Sequence, residues 1–321
     1  MSHPNGGRSA TYRDRIGVSL MGADAPSLVA AIEAADAAGI AQVWTTQTPV
    51  SFDALTLFAA AMERTSAVRF GTSIVPTYPR HPLALAQQAA TVAALGPGRL
   101  RLGVGPSHRP VIEHVYGIEM ESPLAHLREY VAILRAALWE DAVDHAGRFL
   151  TARVTVQNQP RVPILISALS EGAFRLAGEI ADGAISWNCP AAYLLDSALP
   201  ALRAGAESAG RDAPPLVAHA WVALGTDTAA IREAARQRIN GYGRLPFYAA
   251  MFAAAGFPVD ADGNVSDALL DDLVVFGEDA AVAARLREML DAGLDELLLT
   301  LIPLADEAAD RDRLFRLVGR L

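Results

Sequence analysis

The sequence predicts an α/β protein of the (β/α)8, or TIM-barrel, class with insertions. Eight apolar segments of strand length alternate with amphipathic helices along 321 residues, and a barrel of eight such units needs about 250 residues plus its insertions. The strand segments are apolar on both faces, as parallel strands are when helices cover both sides of the sheet. A doubly wound sheet more often has five or six strands, so the number of units favours the barrel.

Each predicted strand is a short apolar run that ends in small or polar residues. Glycines close the fourth strand, at Gly103 and Gly105, and Trp187 closes the sixth. The carboxyl ends of such strands are where a parallel α/β protein carries its chemistry. The predicted strands are 15–20, 42–45, 69–75, 100–104, 163–167, 183–187, 216–224 and 296–302.

The helices between the strands are predicted from caps, prolines and apolar stripes. Pro26 lies in the first turn of the helix that begins at Asp24, and Gly39 ends it. Apolar residues three and four positions apart mark one buried face of 123–138 and of 279–290. Further helices are predicted at 53–63, 82–95, 170–180, 191–209, 227–240 and 307–321.

We predict one barrel domain over 15–321, preceded by a disordered polar leader over 1–14. The leader lacks the apolar core of a signal peptide, and no linker rich in Pro, Gly or Ser divides the rest. Two insertions, 141–161 and 241–276, interrupt the alternation. We predict that the second insertion is a mobile apolar lid over the barrel opening; the alternative is a helix buried in a subunit interface. Its aromatic residues are Tyr242, Phe247, Tyr248, Phe252 and Phe257.

The composition excludes several classes of function. A net charge of −9 argues against a nucleic-acid partner or an anionic membrane partner. All 27 basic residues are Arg, so no lysine can form a Schiff base. Cys189 is the only cysteine, which rules out an intramolecular disulfide and disfavours a cysteine-based zinc site. No apolar run reaches transmembrane length. We expect a soluble cytoplasmic protein without a metal site.

Two loops that follow strands offer backbone amides to a ligand. In 103–108 two glycines allow a ligand to approach the backbone closely. The spacing lacks the third glycine of the dinucleotide fingerprint, and a tight loop without a ligand is the alternative. Ser170 is a predicted N-cap after the fifth strand. Free amides at such a helix start bind phosphate, and simple capping is the alternative.

His108 and Trp187 are the side chains that stand out at the strand ends. An imidazole titrates near pH 7, so His108 could give or take a proton there. Trp187 lines the opening or belongs to the core. The sequence has no HExxH and no GxSxG motif, so neither zinc hydrolysis nor an α/β-hydrolase is supported.

Several blocks closely resemble the bacterial luciferase-like superfamily and, within it, the coenzyme F420-dependent oxidoreductases. The similarity spans about 15–302. The motifs are specific for the superfamily and less specific for the cofactor, because FMN-dependent relatives share the scaffold. The blocks are 71–86 (GTSIVPTYPRHPLALA), 98–108 (GRLRLGVGPSH), 43–47, 126–130 and 181–187.

The resemblance implies a (β/α)8 barrel that holds the deazaflavin ring over a bulge after the third strand. In relatives this bulge contains a non-proline cis peptide, and the matching pair here is Ser73 and Ile74. The phosphate-binding turn matches 168–170, and the loop beside the cofactor contains the glycines of the fourth strand. The cofactor-binding residues implied are Thr46, Gln47, Ser73, Ile74, Gly103, Gly105, Ser107, Ala168, Leu169, Ser170 and Trp187.

Two positions depart from the sugar-phosphate and alcohol dehydrogenases of this family. Some relatives carry an Asp-His pair after the second strand, where this sequence has Gln47 and Thr48. Some carry a glutamate where this sequence has His108. The proton-transfer groups of those relatives are therefore missing, and their substrates are not carried over to this chain.

The leading hypothesis is an F420-dependent oxidoreductase in which the deazaflavin C5 carbon exchanges a hydride with a small organic substrate. His108 is the predicted proton donor or acceptor, and Gln47 is predicted to orient it by hydrogen bonding. An FMN-dependent monooxygenase and a flavin-binding barrel without catalysis are the alternatives. The resemblance also implies a homodimer.

Overall fold

Parallel strands close into a barrel in a computed structural model that describes residues 11–156 and 159–321. The strands are β1 (Ile16–Ser19), β2 (Gln42–Thr45), β3 (Arg69–Thr72), β4 (Val75–Pro76), β5 (Leu100–Gly105), β6 (Ala142–Ala146), β7 (Thr151–Thr155), β8 (Ile164–Ser167), β9 (Gly183–Ile185), β10 (Leu216–Ala223), β11 (Val274–Phe276) and β12 (Glu296–Leu301). The barrel runs in the order β1, β2, β3, β5, β8, β9, β10 and β12, and β12 pairs with β1. The predicted (β/α)8 barrel is confirmed.

Helices follow the strands. They are α1 (Ala25–Ala37), α2 (Ala54–Met62), α3 (Pro82–Leu95), α4 (Pro123–Trp139), α5 (Glu171–Ile180), α6 (Ala191–Tyr193), α7 (Leu199–Ser208), α8 (Thr228–Ile239), α9 (Pro246–Ala254), α10 (Asp267–Leu273), α11 (Asp279–Asp291) and α12 (Glu307–Val318). The caps match the sequence pattern: Asp24 accepts a hydrogen bond from the Ser27 amide at 2.7 Å. The helix predicted at 191–209 is divided into α6, a π turn and α7. Among the described helices, none is long and apolar enough to cross a membrane.

The first insertion, 141–161, contains a β-hairpin. Strands β6 and β7 pair antiparallel and form a small sheet apart from the barrel. Glu129 of α4 anchors the turn of the hairpin, because its carboxylate accepts hydrogen bonds from the amides of Arg148, Phe149 and Leu150. These bonds hold the pKa of Glu129 below its usual value, although burial alone would raise it.

The second insertion, 241–276, is folded and ends in a strand that the sequence pattern did not predict. β11 pairs in parallel with residues 221–223, the last three residues of β10. Helix α8 packs on α10, and Arg232 forms an ion pair with Asp271 across that contact. The excursion from the barrel therefore begins at α8, before the predicted boundary, and the chain returns to the sheet at β11.

The predicted leader falls mostly on residues 1–10, which lie outside the described residues. Residues 11–14 contact the barrel, since the Tyr12 hydroxyl donates to the Asp291 carboxylate at 2.9 Å. The carbonyl oxygen of Asp14 also accepts hydrogen bonds from the side chains of Gln42 and Arg69. The chain is therefore attached to the barrel before residue 15.

An ion pair lies inside the barrel at the amino ends of the strands. Arg101 and Glu296 meet at 2.6 Å, and their side chains are only 12% and 16% exposed. The Gln42 amide joins both, since it donates to Glu296 and accepts from Arg101, each at 2.9 Å. This polar layer closes the amino end of the barrel.

Trp44 occupies the next layer of the barrel interior. It packs with Leu165, Ile185, Val217 and Leu298 in one buried cluster, against which Ile74 and Trp187 pack. Gly17 and Gly71 leave room for the indole, because a Cβ atom on either residue would overlap it. The Trp44 cluster separates the ion pair from the mouth, the opening at the carboxyl ends of the strands.

Candidate functional site

The interruption of the third strand forms one side of the mouth. β3 ends at Thr72, the chain bulges at Ser73 and Ile74, and β4 resumes the pairing with β5. The peptide bond between Ser73 and Ile74 is cis, as the resemblance implies. Residues after β2 hold the bulge: the Thr46 hydroxyl donates to the Ser73 carbonyl at 2.9 Å, and the backbone amide of Gln47 donates to the Ile74 carbonyl at 3.3 Å.

The side chain of Gln47 is directed to the start of α2. It donates to the Asp53 carboxylate and accepts from the Ala54 amide, each at 3.3 Å. Arg80 also binds Asp53, at 2.7 Å. Burial would raise the pKa of Asp53, but hydrogen bonds from Thr56 and Arg80 hold it below its usual value. Gln47 thus bonds to α2 in this structure, and no bond joins it to His108 among the described residues.

The glycines of β5 are needed by the packing of the barrel itself. A Cβ atom at Gly103 would overlap the Thr72 carbonyl oxygen, and one at Gly105 would overlap the Ser167 hydroxyl. The Thr72 hydroxyl also bonds to both the amide and the carbonyl of Gly103. The close approach predicted for these glycines is therefore made by protein atoms.

His108 enters the mouth from the loop after β5. Ser107 has a φ of 62°, a left-handed conformation that turns the chain just before the histidine. The half-buried imidazole meets the rings of Tyr242 and Tyr248 edge to face, with centroids 6.0 and 5.7 Å away. Burial lowers its pKa below 6.5, so His108 is neutral at pH 7 and can accept a proton.

Trp187 connects this aromatic group to the barrel. Its Nε1 donates to the Tyr242 hydroxyl at 3.0 Å, and its ring stacks on His219 with centroids 3.7 Å apart. His219 accepts from the Asn188 amide through Nδ1 and therefore donates through Nε2 to the Thr300 hydroxyl at 3.0 Å. Trp187 thus lies at the mouth, as predicted, and its side chain belongs to a larger network of bonded and stacked residues.

No sequence motif predicted the buried members of this network. His219 bonds to Thr300, which lies 81 positions later in the chain, so no local motif contains the pair. A signal existed in the alternation of β10, where every second residue faces the barrel interior. On that face Val217 belongs to the Trp44 cluster, and His219 and Trp221 stand next to each other above it.

Burial lowers the pKa of His219 from 6.5 to about 3, which predicts an effect on stability. The unfolded chain binds a proton at this residue below pH 6.5, whereas the folded chain does not. The contribution of His219 to the free energy of unfolding is therefore complete above pH 6.5 and is lost as the pH falls toward 3. We expect His219→Gln to lessen the decline in the free energy of unfolding over that range. Urea unfolding at several pH values measures it, with exposed His114→Gln as control; parallel declines for His219→Gln and wild type would contradict the prediction.

The turn at 168–170 ends β8 and begins α5. The Ser170 hydroxyl accepts from the Ala173 amide at 3.4 Å, which confirms the predicted cap. The Ala168 amide donates to the Ile185 carbonyl, and the Leu169 carbonyl accepts from the Tyr193 hydroxyl. In the described part of the chain the amides of residues 171 and 172 form no hydrogen bond, so they are available to an anion.

Buried polar atoms without partners lie on the floor of the mouth. Within the described residues, the Ser19 hydroxyl and the Asn188 side-chain nitrogen are buried and form no hydrogen bond. Ser19 ends β1 in register with Thr300, and Asn188 follows Trp187. A ligand with hydrogen-bonding groups on its edge would satisfy such atoms. The residues of the mouth therefore fit a polar ring system above and an anionic group at α5.

The chain is similar in sequence and fold to known proteins. An F420-dependent glucose-6-phosphate dehydrogenase of Rhodococcus jostii is 30% identical over 258 residues, 76% of each chain. An uncharacterized protein of Mycobacterium tuberculosis is 29% identical over 287 residues, 79% of this chain and 84% of the relative. The solved structure of an F420-dependent secondary alcohol dehydrogenase has the same fold, with a TM-score of 0.79 and 21% identity over 94% of this chain and 97% of that one.

The family assignment comes from a match that covers most of the chain. The sequence model of the luciferase-like monooxygenase family matches residues 4–296. This range includes the bulge at Ser73 and Ile74, the loop that carries His108, the turn before α5 and Trp187. The resemblance to the luciferase-like superfamily is confirmed: the chain belongs to the luciferase-like monooxygenase family, whose members are oxidoreductases.

Proposed function

We propose that this chain is an F420-dependent oxidoreductase that transfers a hydride between the deazaflavin and a small organic substrate at the mouth. When bound, the deazaflavin supplies a carbon, C5, that carries a hydride in one two-electron step. The observation that carries the proposal is the half-buried, neutral imidazole of His108 in an aromatic group above the barrel. Identity of 30% over 76% of a relative named as F420-dependent supports it.

The residues of the mouth would hold the cofactor in two places. The bulge at Ile74, held by Thr46, would support the ring from one side, and Trp187 stands above the Trp44 cluster on another. The free amides at the start of α5 would bind the phosphate that the deazaflavin carries. The unpartnered Ser19 and Asn188 side chains would bond to the polar edge of the ring.

His108 would handle the proton that accompanies the hydride. Because burial lowers its pKa, the neutral imidazole accepts a proton from a substrate hydroxyl at pH 7 and returns it in the opposite direction. Gln47 stays a predicted orienter of this group, although its side chain bonds to Asp53. The Asp-His pair of some relatives is replaced by Gln47 and Thr48, so His108 carries this task without them.

Titration of the purified protein with F420 and with FMN, followed by fluorescence, tests the proposal. We expect saturable binding of F420 and weaker binding of FMN. Tighter binding of FMN would instead support a monooxygenase, in keeping with the name of the family. Failure to bind either cofactor would overturn the proposal.

A charge placed beside the free amides makes the titration specific for the phosphate. A Cβ atom at Gly172 meets nothing closer than 3.8 Å, so Gly172→Asp should fold and repel an anion at the start of α5. The matched control is Ala229→Asp, which adds the same charge at the second residue of α8. We expect only Gly172→Asp to weaken F420 binding; equal affinities would contradict the placement of the phosphate.

The resemblance also leads us to propose a homodimer. Light scattering on the purified protein should then give twice the mass of one chain, and the mass of a single chain would contradict this assembly.

A further inference from the structure

We infer that Tyr242 is a catalytic residue of the proposed reaction, and that its hydroxyl donates a hydrogen bond to the substrate oxygen opposite His108. The inference rests on the proposed function. Tyr242 belongs to the segment between β10 and β11, which packs over the mouth. It therefore adds a residue that comes from neither a strand end nor a helix start.

The hydrogen bonding of Tyr242 leaves its proton free. The Trp187 indole nitrogen can only donate, so the Tyr242 oxygen is the acceptor of the 3.0 Å bond between them. Among the described residues no acceptor binds the hydroxyl proton of Tyr242. Burial raises the pKa of Tyr242 above 10, so the phenol keeps this proton at neutral pH. A half-buried donor is thus available to a ligand.

The direction of this donor is fixed from below. Trp187 stacks on His219 at an interplanar angle of 21°, and His219 is bonded at both ring nitrogens, to the Asn188 amide and to Thr300. The indole therefore has a fixed orientation at the end of β9. Because its Nε1 holds the Tyr242 oxygen, the hydroxyl is held at the mouth.

Tyr242 and His108 have complementary protonation states at neutral pH. Their rings meet edge to face with centroids 6.0 Å apart, and Tyr248 packs against both rings, at 4.8 Å from Tyr242 and 5.7 Å from His108. One member of the pair is a protonated phenol, and the other is a neutral imidazole. A substrate oxygen within hydrogen-bonding distance of both the phenol and the imidazole would meet one donor and one acceptor.

The pair accounts for the atoms and electrons of an alcohol–carbonyl interconversion. In the oxidative direction His108 would take the proton as the O–H bond breaks, and the bound deazaflavin would supply the acceptor for the hydride that the C–H bond releases. The electron pair of the O–H bond forms the C=O bond. Tyr242 keeps its proton and donates to the oxygen, on which negative charge develops. Reduction follows the same steps in reverse.

The test uses the full-length protein, the variant Tyr242→Phe and a control, Tyr12→Phe. The control also removes one phenol hydroxyl, but its partner is Asp291 at the amino end of the barrel. The probe is cyclohexanone labelled with ¹³C at the carbonyl carbon, whose resonance moves downfield when the oxygen accepts a hydrogen bond. We expect a downfield shift with wild type and Tyr12→Phe and none with Tyr242→Phe. No shift with wild type, or an equal shift with Tyr242→Phe, would overturn the inference.

Kinetics with a panel of ketones, enones and aldehydes gives the second readout. For any carbonyl compound that the wild type reduces, we expect Tyr242→Phe to lower kcat by roughly 10²-fold or more, as for other donors to a developing oxyanion. The affinity for F420 should be unchanged. An unchanged kcat would overturn the inference about Tyr242 but not the proposed function. Absence of F420 binding in the prior titration would overturn the proposed function, and with it the catalytic role of Tyr242.

Discussion

Replacing His108 with alanine is expected to slow turnover by roughly 10²–10⁴-fold, the usual contribution of a positioned acid or base. The half-buried imidazole is the titratable side chain that the β5 loop places against Tyr242 and Tyr248. Alanine removes the proton acceptor and leaves the bulge at Ile74 and the start of α5 in place. F420 affinity should therefore be unchanged, and the rate of hydride transfer measured in a single turnover should fall.

The pH profile of the same reaction separates the proton transfer from a structural effect. Burial lowers the pKa of His108 below 6.5, so the rate of alcohol oxidation should be constant near neutral pH and fall only at lower pH, where the imidazole becomes protonated. His108→Ala should lose this fall. His114→Ala changes an exposed histidine in the π-helical turn after that loop; it is the control and should behave as wild type. Wild-type turnover in His108→Ala with F420 bound would exclude the role.

Replacing Glu296 with alanine is expected to lower the free energy of unfolding by about 3–5 kcal/mol, the usual cost of leaving one buried charge without its partner. Arg101 would keep its charge inside the barrel beside Gln42, with no carboxylate at 2.6 Å. The guanidinium also lies over the Trp44 ring, 5.2 Å from its centroid, so it cannot leave without disturbing the layer above.

Urea unfolding measures this effect, and the chain offers a matched control. Asp144 and Arg153 form an ion pair on the β6–β7 hairpin, with side chains 79% and 72% exposed. Asp144→Ala removes one carboxylate from such a pair where water and salt already screen it, and we expect little change. If Glu296→Ala lost no more stability than Asp144→Ala, the ion pair inside the barrel would not stabilise the fold.

The barrel could be predicted because its strands are apolar on both faces and end in recognisable residues. The runs at 16–19, 42–45 and 100–105 were found to within a residue or two, since burial between the interior and the helices requires continuous apolar character. β11 was missed for a physical reason. Its three residues pair only with the last three residues of β10. Whether so short a run forms a strand is determined by its partner strand rather than by its own sequence.

The candidate site could be predicted only in part. The bulge at Ser73 and Ile74 was implied by the family resemblance of the block 71–86 that contains it. The cap at Ser170 lies within a local motif, so its placement could be anticipated from a few neighbouring residues. The direction of the Gln47 side chain could not, because it depends on Asp53 and on the ion pair of Asp53 with Arg80. The bond between Trp187 and Tyr242 joins residues 55 positions apart, and only tertiary packing brings them together.

The attachment of the 225–276 segment has a consequence for how such enzymes diversify. Both of its ends are fixed by one strand: the segment departs from the end of β10 and returns as β11 in register with residues 221–223. A replacement segment that keeps these two ends and buries the same face of the barrel would leave the pairing of β10 with β9 and β12 untouched. Exchange of this segment between relatives is therefore a route to new chemistry at the substrate that leaves the redox scaffold as it is.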